Sequence, residues 1–139
     1  MAAKPNIVAR LVEQLSREIH DPSRLSGLDA WQWATLRCLA RAGAAARTIS
    51  HIAGYLGAPE LLVCESVTAL ERKMLVGPSR PAVAGTIALT KLGQDLLRYD
   101  PVLHLEQAIS QLTAADQSEL ARLVEELYAR LAEERRARS

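Results

Sequence analysis

The sequence predicts a mainly α-helical domain built around a helix-turn-helix, with a small β-hairpin behind it and further helices at both ends. Three observations carry this. Residues 48–76 read as a short helix, a Gly57-Ala58-Pro59 break and a second helix of about four turns. The turn cluster Gly77-Pro78-Ser79-Arg80-Pro81 is followed by a β-prone run, Gly85 to Leu89. Aromatic residues make up only 4% of the chain and Phe is absent, so Ala and Leu build the core, a composition that favours packed helices.

The elements follow in order. Ile7, Val8, Leu11, Leu15 and Ile19 form one helical stripe over residues 5–20, which Asp21-Pro22-Ser23 ends. A second helix is expected from Asp29, a suitable N-cap, to Ala42. Its apolar content comes from Trp31, Trp33, Leu36, Leu39 and Ala40. The run at 42–46 is a loose joint, after which Arg47 or Thr48 opens a short helix with Ile49, Ile52, Ala53 and Leu56 facing in. Gly57 suits its end, and Pro59 suits the first turn of the next helix. There Val63, Val67, Leu70 and Met74 recur at helical spacing as the buried stripe, which leaves Leu61, Glu65, Thr68 and Arg72 on the opposite face. A hairpin follows, with its first strand near Leu75 to Gly77; Pro78 and Pro81 confine it to an edge. Helical pattern resumes at Thr90, with a break expected at Asp100-Pro101, and Leu103 to Leu112 continue the period. Thr113 to Asp116 resembles a capping box that opens a last helix with Leu120, Leu123, Val124, Leu127 and Leu131 on one face, and the final Arg-rich tail is expected to fray.

At 139 residues the chain reads as a single domain. A net charge of +1 gives no whole-molecule attraction to nucleic acid or to an anionic membrane. Two cysteines, Cys38 and Cys64, are too few for a disulfide scaffold; both read as structural, in a reducing cytoplasm. No apolar run has the length of a membrane span, and the N-terminus lacks the pattern of a signal peptide. His20, His51 and His104 are far apart, so no metal and no cofactor is expected. No nucleophile-base constellation or phosphate loop points to an enzyme.

Several fixed points resemble the MarR family of winged-helix transcription regulators. They are Leu28 with Gln32 and Leu36-Arg37-Cys38-Leu39, then Ile52 to Gly57, then Leu70 to Val76. Leu89-Thr90-Lys91-Leu92-Gly93 follows as the family's LTxxG signature, and Leu112-Thr113 precedes the final helix. The resemblance covers nearly the whole chain. It implies a homodimer, with 1–27 and 91–139 as dimerisation helices and 28–90 as the winged helix-turn-helix. Such a dimer would bind a pseudo-palindromic operator in double-stranded DNA. It also implies a small aromatic acid as a ligand, for which Arg10 or Arg17 could pair the carboxylate and Trp31, Trp33, Tyr55, Tyr99 and His104 could line a pocket. Packing is the competing role for both Trp residues.

On this resemblance the DNA contacts fall on Arg47, Thr48, Ser50, Leu61, Glu65, Thr68, Arg72, Lys73 and Arg80. Thr48 and Ser50 are placed for phosphate, although Thr48 serves equally as an ordinary N-cap. The reading helix departs from the family. Glu60, Leu61, Leu62, Cys64 and Glu65 stand where Ser, Thr and Arg are usual, Met74 replaces a Gly, and Pro81-Ala82-Val83 occupies the place of the wing's Asp-x-Arg. Those departures give a second expectation, a winged helix that works through protein contacts instead of DNA.

Overall fold

The computed structural model describes residues 3–21, 26–43, 47–79 and 85–139. Among them are seven α-helices and one two-stranded antiparallel sheet: α1 (Pro5–Ile19), α2 (Ala30–Arg41), α3 (Ile49–Leu56), α4 (Glu60–Arg72), β1 (Val76–Pro78), β2 (Ile87–Leu89), α5 (Lys91–Leu96), α6 (Pro101–Ser110) and α7 (Ala114–Ala137). This is the predicted mainly α architecture with a hairpin behind a helix-turn-helix. The chain forms two units, the first ending at Pro101 and the second beginning at Val102.

In the first unit, α2, α3, α4 and the hairpin enclose one core. Trp33, Leu36, Leu39, Ile52 and Leu70 are fully buried at its centre, with Leu28, Val63, Val67, Leu75 and Val76 around them. Each such side chain contributes about 1.5–3 kcal/mol of burial. Local chemistry sets the helix ends. Asp29 caps α2 through a complete capping box with Gln32: its carboxylate accepts the Gln32 N–H at 2.8 Å, and the Gln32 side chain accepts the Asp29 N–H at 3.3 Å. Gly57 ends α3 in the left-handed region at φ 64, letting Ala58 N–H return to the Ala53 carbonyl at 3.0 Å. Pro59 is the N-cap of α4 and not a residue of its first turn.

The end of α4 corrects the sequence reading. Met74 is not on the buried stripe. The helix stops at Arg72, and Met74 is 72% exposed with φ 62. Its N–H reaches the Glu71 carbonyl at 2.9 Å, and Leu75 N–H reaches the Leu70 carbonyl at 3.0 Å. This is a Schellman closure, whose left-handed position normally holds Gly. It turns the chain so that Leu75 and Val76 enter the core, and buried Ser66 completes the inward face of α4. Replacing Met74 by Gly removes a left-handed Cβ, partly offset by a more mobile unfolded chain. The net gain expected is about 0.5–1 kcal/mol, read as a raised urea midpoint.

β1 and β2 pair as Val76↔Leu89, Gly77↔Ala88 and Pro78↔Ile87. Ile87 N–H donates to the Arg47 carbonyl at 2.9 Å, which ties the hairpin to the approach to α3. At the base of the hairpin the Thr90 hydroxyl has two roles. It accepts Gly93 N–H at 3.1 Å as the cap of α5, and it donates to the Met74 carbonyl at 2.7 Å. After α5 a single 3-10 turn, Leu97–Tyr99, leads to the expected break. The buried carboxylate of Asp100 accepts from Arg37 Nε at 2.7 Å, joining the chain after α5 to α2 across 63 positions.

α1 belongs to the first unit, yet none of its residues is buried. Ile7, Val8, Leu11, Val12 and Leu15 all remain exposed. In the second unit, α7 opens at Thr113, whose hydroxyl accepts Asp116 N–H at 3.1 Å. It runs 24 residues without burying one, so Leu120, Leu123, Val124, Leu127, Tyr128 and Leu131 are also exposed. The expected fraying of the tail is not what the structure has: α7 continues to Ala137, and Arg138 pairs with Glu134 at 2.7 Å. On its polar side a hydrogen bond from Arg122 holds the Glu119 carboxyl below its usual range. That support is present above the unfolded carboxylate range and is lost as pH falls through the lowered value.

Candidate nucleic-acid interface

The outward faces of α3 and α4 are fixed by what their inward faces bury. Ile52 and Ala53 of α3 face the core, so Ser50, His51 and Tyr55 face out. Val63, Ser66, Val67 and Leu70 of α4 face in, leaving Leu61, Glu65, Thr68 and Arg72 exposed as the sequence predicts. Leu61 is 71% and Tyr55 65% exposed. His51 and Tyr55 were not assigned to this surface from sequence. The signal was present, because on a 100° helical wheel both fall outside the arc that holds Ile49, Ile52, Ala53 and Leu56.

The remaining predicted contacts are distributed unevenly. Thr48 is the N-cap of α3, accepting His51 N–H at 3.1 Å, which is the ordinary capping role. Arg47 is half-buried; its carbonyl serves the hairpin, and its Nε is buried with no hydrogen-bond partner among the described residues. Lys73 is exposed, but its Nζ donates to the Gly27 carbonyl at 2.7 Å, so it anchors the turn before α2 and is not a free phosphate contact. Thr68 donates its hydroxyl to the Cys64 carbonyl at 2.9 Å. Arg72 is exposed and unpaired among the described residues. Arg80, with Pro81, Ala82 and Val83, lies outside the described residues. Glu60, Glu65 and Glu71 are exposed along the same helix. Glu60 stabilises the helix from its first turn, where the N-terminal partial charge is positive.

Cys38 is buried, and burial pushes its thiol pKa up; Cys64 is half-buried on α4. In the folded protein a thiol reagent should therefore modify Cys64 first, with Cys38 reacting only on unfolding. Equal rates for the two would contradict the core packing of α2. No cluster of three or more His, Cys, Asp or Glu side chains able to hold a metal occurs among the described residues. No helix there is long and apolar enough to cross a membrane.

The residues considered for a small ligand are spread out. Trp33 is fully buried among the core side chains, so it packs and does not line an open pocket, which corrects its assignment. Trp31 on the same helix is 40% exposed. Arg10 and Arg17 are exposed on α1, with Arg17 paired to Glu13 at 2.9 Å. Tyr99 is exposed in the first unit, and His104 is exposed on α6 of the second. Clefts beside the hairpin have other walls: one of about 470 Å³ is lined by Gly77, Pro78, Ala88, Leu89, Thr90 and Lys91.

A helix-turn-helix followed by a two-stranded hairpin and a capped helix defines a winged helix. No protein-family profile and no curated protein sequence matches the chain. Solved structures do. Staphylococcus aureus MepR in a DNA complex aligns with 92% of this chain and 96% of its own at 19% identity, with a TM-score of 0.71. A MarR/EmrR family transcriptional regulator from Acinetobacter sp. ADP1 aligns with 95% of this chain and 99% of its own at 19% identity, TM-score 0.67. A MarR family protein of Mycobacterium tuberculosis in complex with DNA aligns with 91% of this chain and 98% of its own at 24% identity, TM-score 0.65. The chain therefore has the fold of the MarR-family transcriptional regulators.

Proposed function

We propose that this protein is a MarR-family transcription regulator, a homodimer that binds duplex DNA at a pseudo-palindromic operator and acts in the cytoplasm. The observation that carries the reading is that the likeness runs the length of the chain. It takes in terminal helices whose apolar stripes are uncovered in a single copy, as well as the winged helix. In this reading 1–27 and 91–139 form the dimer, and 28–90 reads DNA. α4 lies in the major groove, while Ser50 and Arg72, with Tyr55 from the outward face of α3, hold phosphates. Tuning by a small aromatic acid belongs to the same reading, for which Arg10, Trp31 and Tyr99 are exposed. The test is a gel shift on the duplex upstream of its own gene, together with light scattering on the purified chain. Twice the chain mass and retardation that weakens with salt are expected. A monomer that retards no duplex even at low salt would contradict the reading.

A second reading, a winged helix that docks on a protein, is favoured by the exposed Leu61 beside Glu60 and Glu65, which are unpaired among the described residues. The pair Leu61→Ser and Glu65→Arg separates the two. Loss of a defined protein complex with no change in DNA affinity would favour this second reading.

A further inference from the structure

The inference rests on the DNA-binding reading and concerns what α4 recognises. Leu61, Glu65, Thr68 and Arg72 are four, three and four residues apart, on one exposed face. Along that face the hydrogen-bonding capacity changes. Leu61 has no polar side-chain atom, and Glu65 offers carboxylate oxygens that accept and meet no donor among the described residues. Thr68 commits its hydroxyl proton to the Cys64 carbonyl, so its oxygen is left with lone pairs that can only accept. Only Arg72, the last residue of the helix, donates. The first two turns are the part of a reading helix that meets base edges, and here the outward side chains, Glu60, Leu61 and Glu65, accept or make apolar contact but do not donate.

This chemistry excludes the commonest base contacts. Guanine offers O6 and N7, both acceptors, which a carboxylate repels. Adenine pairs its amino group with an N7 acceptor that does the same. Cytosine presents an N4 amino donor, and thymine presents a methyl group. We propose that Glu65 reads a cytosine through its N4 amino group and that Leu61 reads a thymine methyl, so that each half-site carries the two bases about two steps apart. The spacing follows from the helix: four residues advance about 6 Å along its axis, close to two base-pair steps of about 3.4 Å. The carboxylate acts by exclusion as well. At every site lacking an amino group in that position it is desolvated against phosphates and acceptors without return. With Glu60 and Glu71 on the same helix, affinity for unselected DNA is kept low and discrimination is correspondingly high.

The experiment is selection of the full-length protein on a random-core duplex library, followed by equilibrium gel shifts with the enriched duplex. Replacing the selected cytosine should weaken wild-type binding roughly 5- to 100-fold. Exchanging the selected thymine for uracil, which lacks only the methyl, should weaken wild type but not Leu61→Ala. Glu65→Gln, isosteric and on an exposed position, adds an amide donor beside its acceptor oxygen, so it should replace the cytosine preference with one for adenine and, having lost the negative charge, raise affinity for unselected duplex. A thermal melt verifies that both variants fold. Duplexes enriched without a cytosine preference, or a preference retained in Glu65→Gln, overturn the proposal and leave the DNA-binding reading standing. No enrichment by wild type at any salt concentration overturns both.

Discussion

Gly93→Ala should destabilise the winged helix by about 2–4 kcal/mol, an overpacking penalty at the upper end of its usual range. A Cβ at this position would lie 2.2 Å from the Leu75 carbonyl oxygen and 3.2 Å from its carbon. Neither side can retreat cheaply. The Leu75 carbonyl accepts Thr90 N–H at 3.0 Å, and the Leu75 side chain is buried after closing the end of α4. Gly93 N–H is held by the Thr90 hydroxyl on the other side. Sign makes the test discriminating. In an unconstrained helix the same change is worth roughly 0.8–1 kcal/mol of stabilisation. Urea unfolding monitored by circular dichroism decides between them: a variant as stable as wild type would show that the contact between α5 and the strand entry is not tight.

Leu127→Asp on α7 should convert the proposed dimer to a monomer and abolish operator binding. The side chain is 48% exposed in the single chain and lies in the stripe with Leu120, Leu123, Val124 and Leu131. By two-fold symmetry each substitution is felt twice. Losing about 2 kcal/mol of burial per copy amounts to about 4 kcal/mol, or roughly a thousand-fold in dimer dissociation. A carboxylate placed in the interface adds to that. Light scattering across a dilution series reads the effect, and in wild type the thermal midpoint should rise with protein concentration. A Leu127→Asp variant that elutes and melts as wild type would remove α7 from the interface.

Much of the fold was legible because periodicity records which face is buried. Val63, Val67 and Leu70 gave the inward face of α4, and Asp29, Thr48, Gly57, Thr90 and Thr113 marked helix ends through local chemistry. Met74 was misplaced because a stripe says nothing about where the helix stops; that is decided by a left-handed closure and the burial of Leu75. Trp31 and Trp33 are two residues apart and look alike in sequence, but they point to different faces of α2. Contacts between distant positions were invisible: Arg37 with Asp100, and Lys73 with Gly27, which removes Lys73 from the free cations of the site. The outward face of α4 was legible as a set of residues. Its lack of free side-chain donors ahead of Arg72 became clear only once the Thr68 hydroxyl was seen bonded to Cys64.

The base of the hairpin also has a mechanical consequence. A single hydroxyl, that of Thr90, bonds both the exit of α4 and the start of α5, and Gly93 lies against the same backbone with no side chain as a cushion. No compliant spacer separates the two helix ends. A rotation imposed on α5 would therefore be passed to the end of α4 as displacement instead of being absorbed, so the junction acts as a stiff linkage between these two helices.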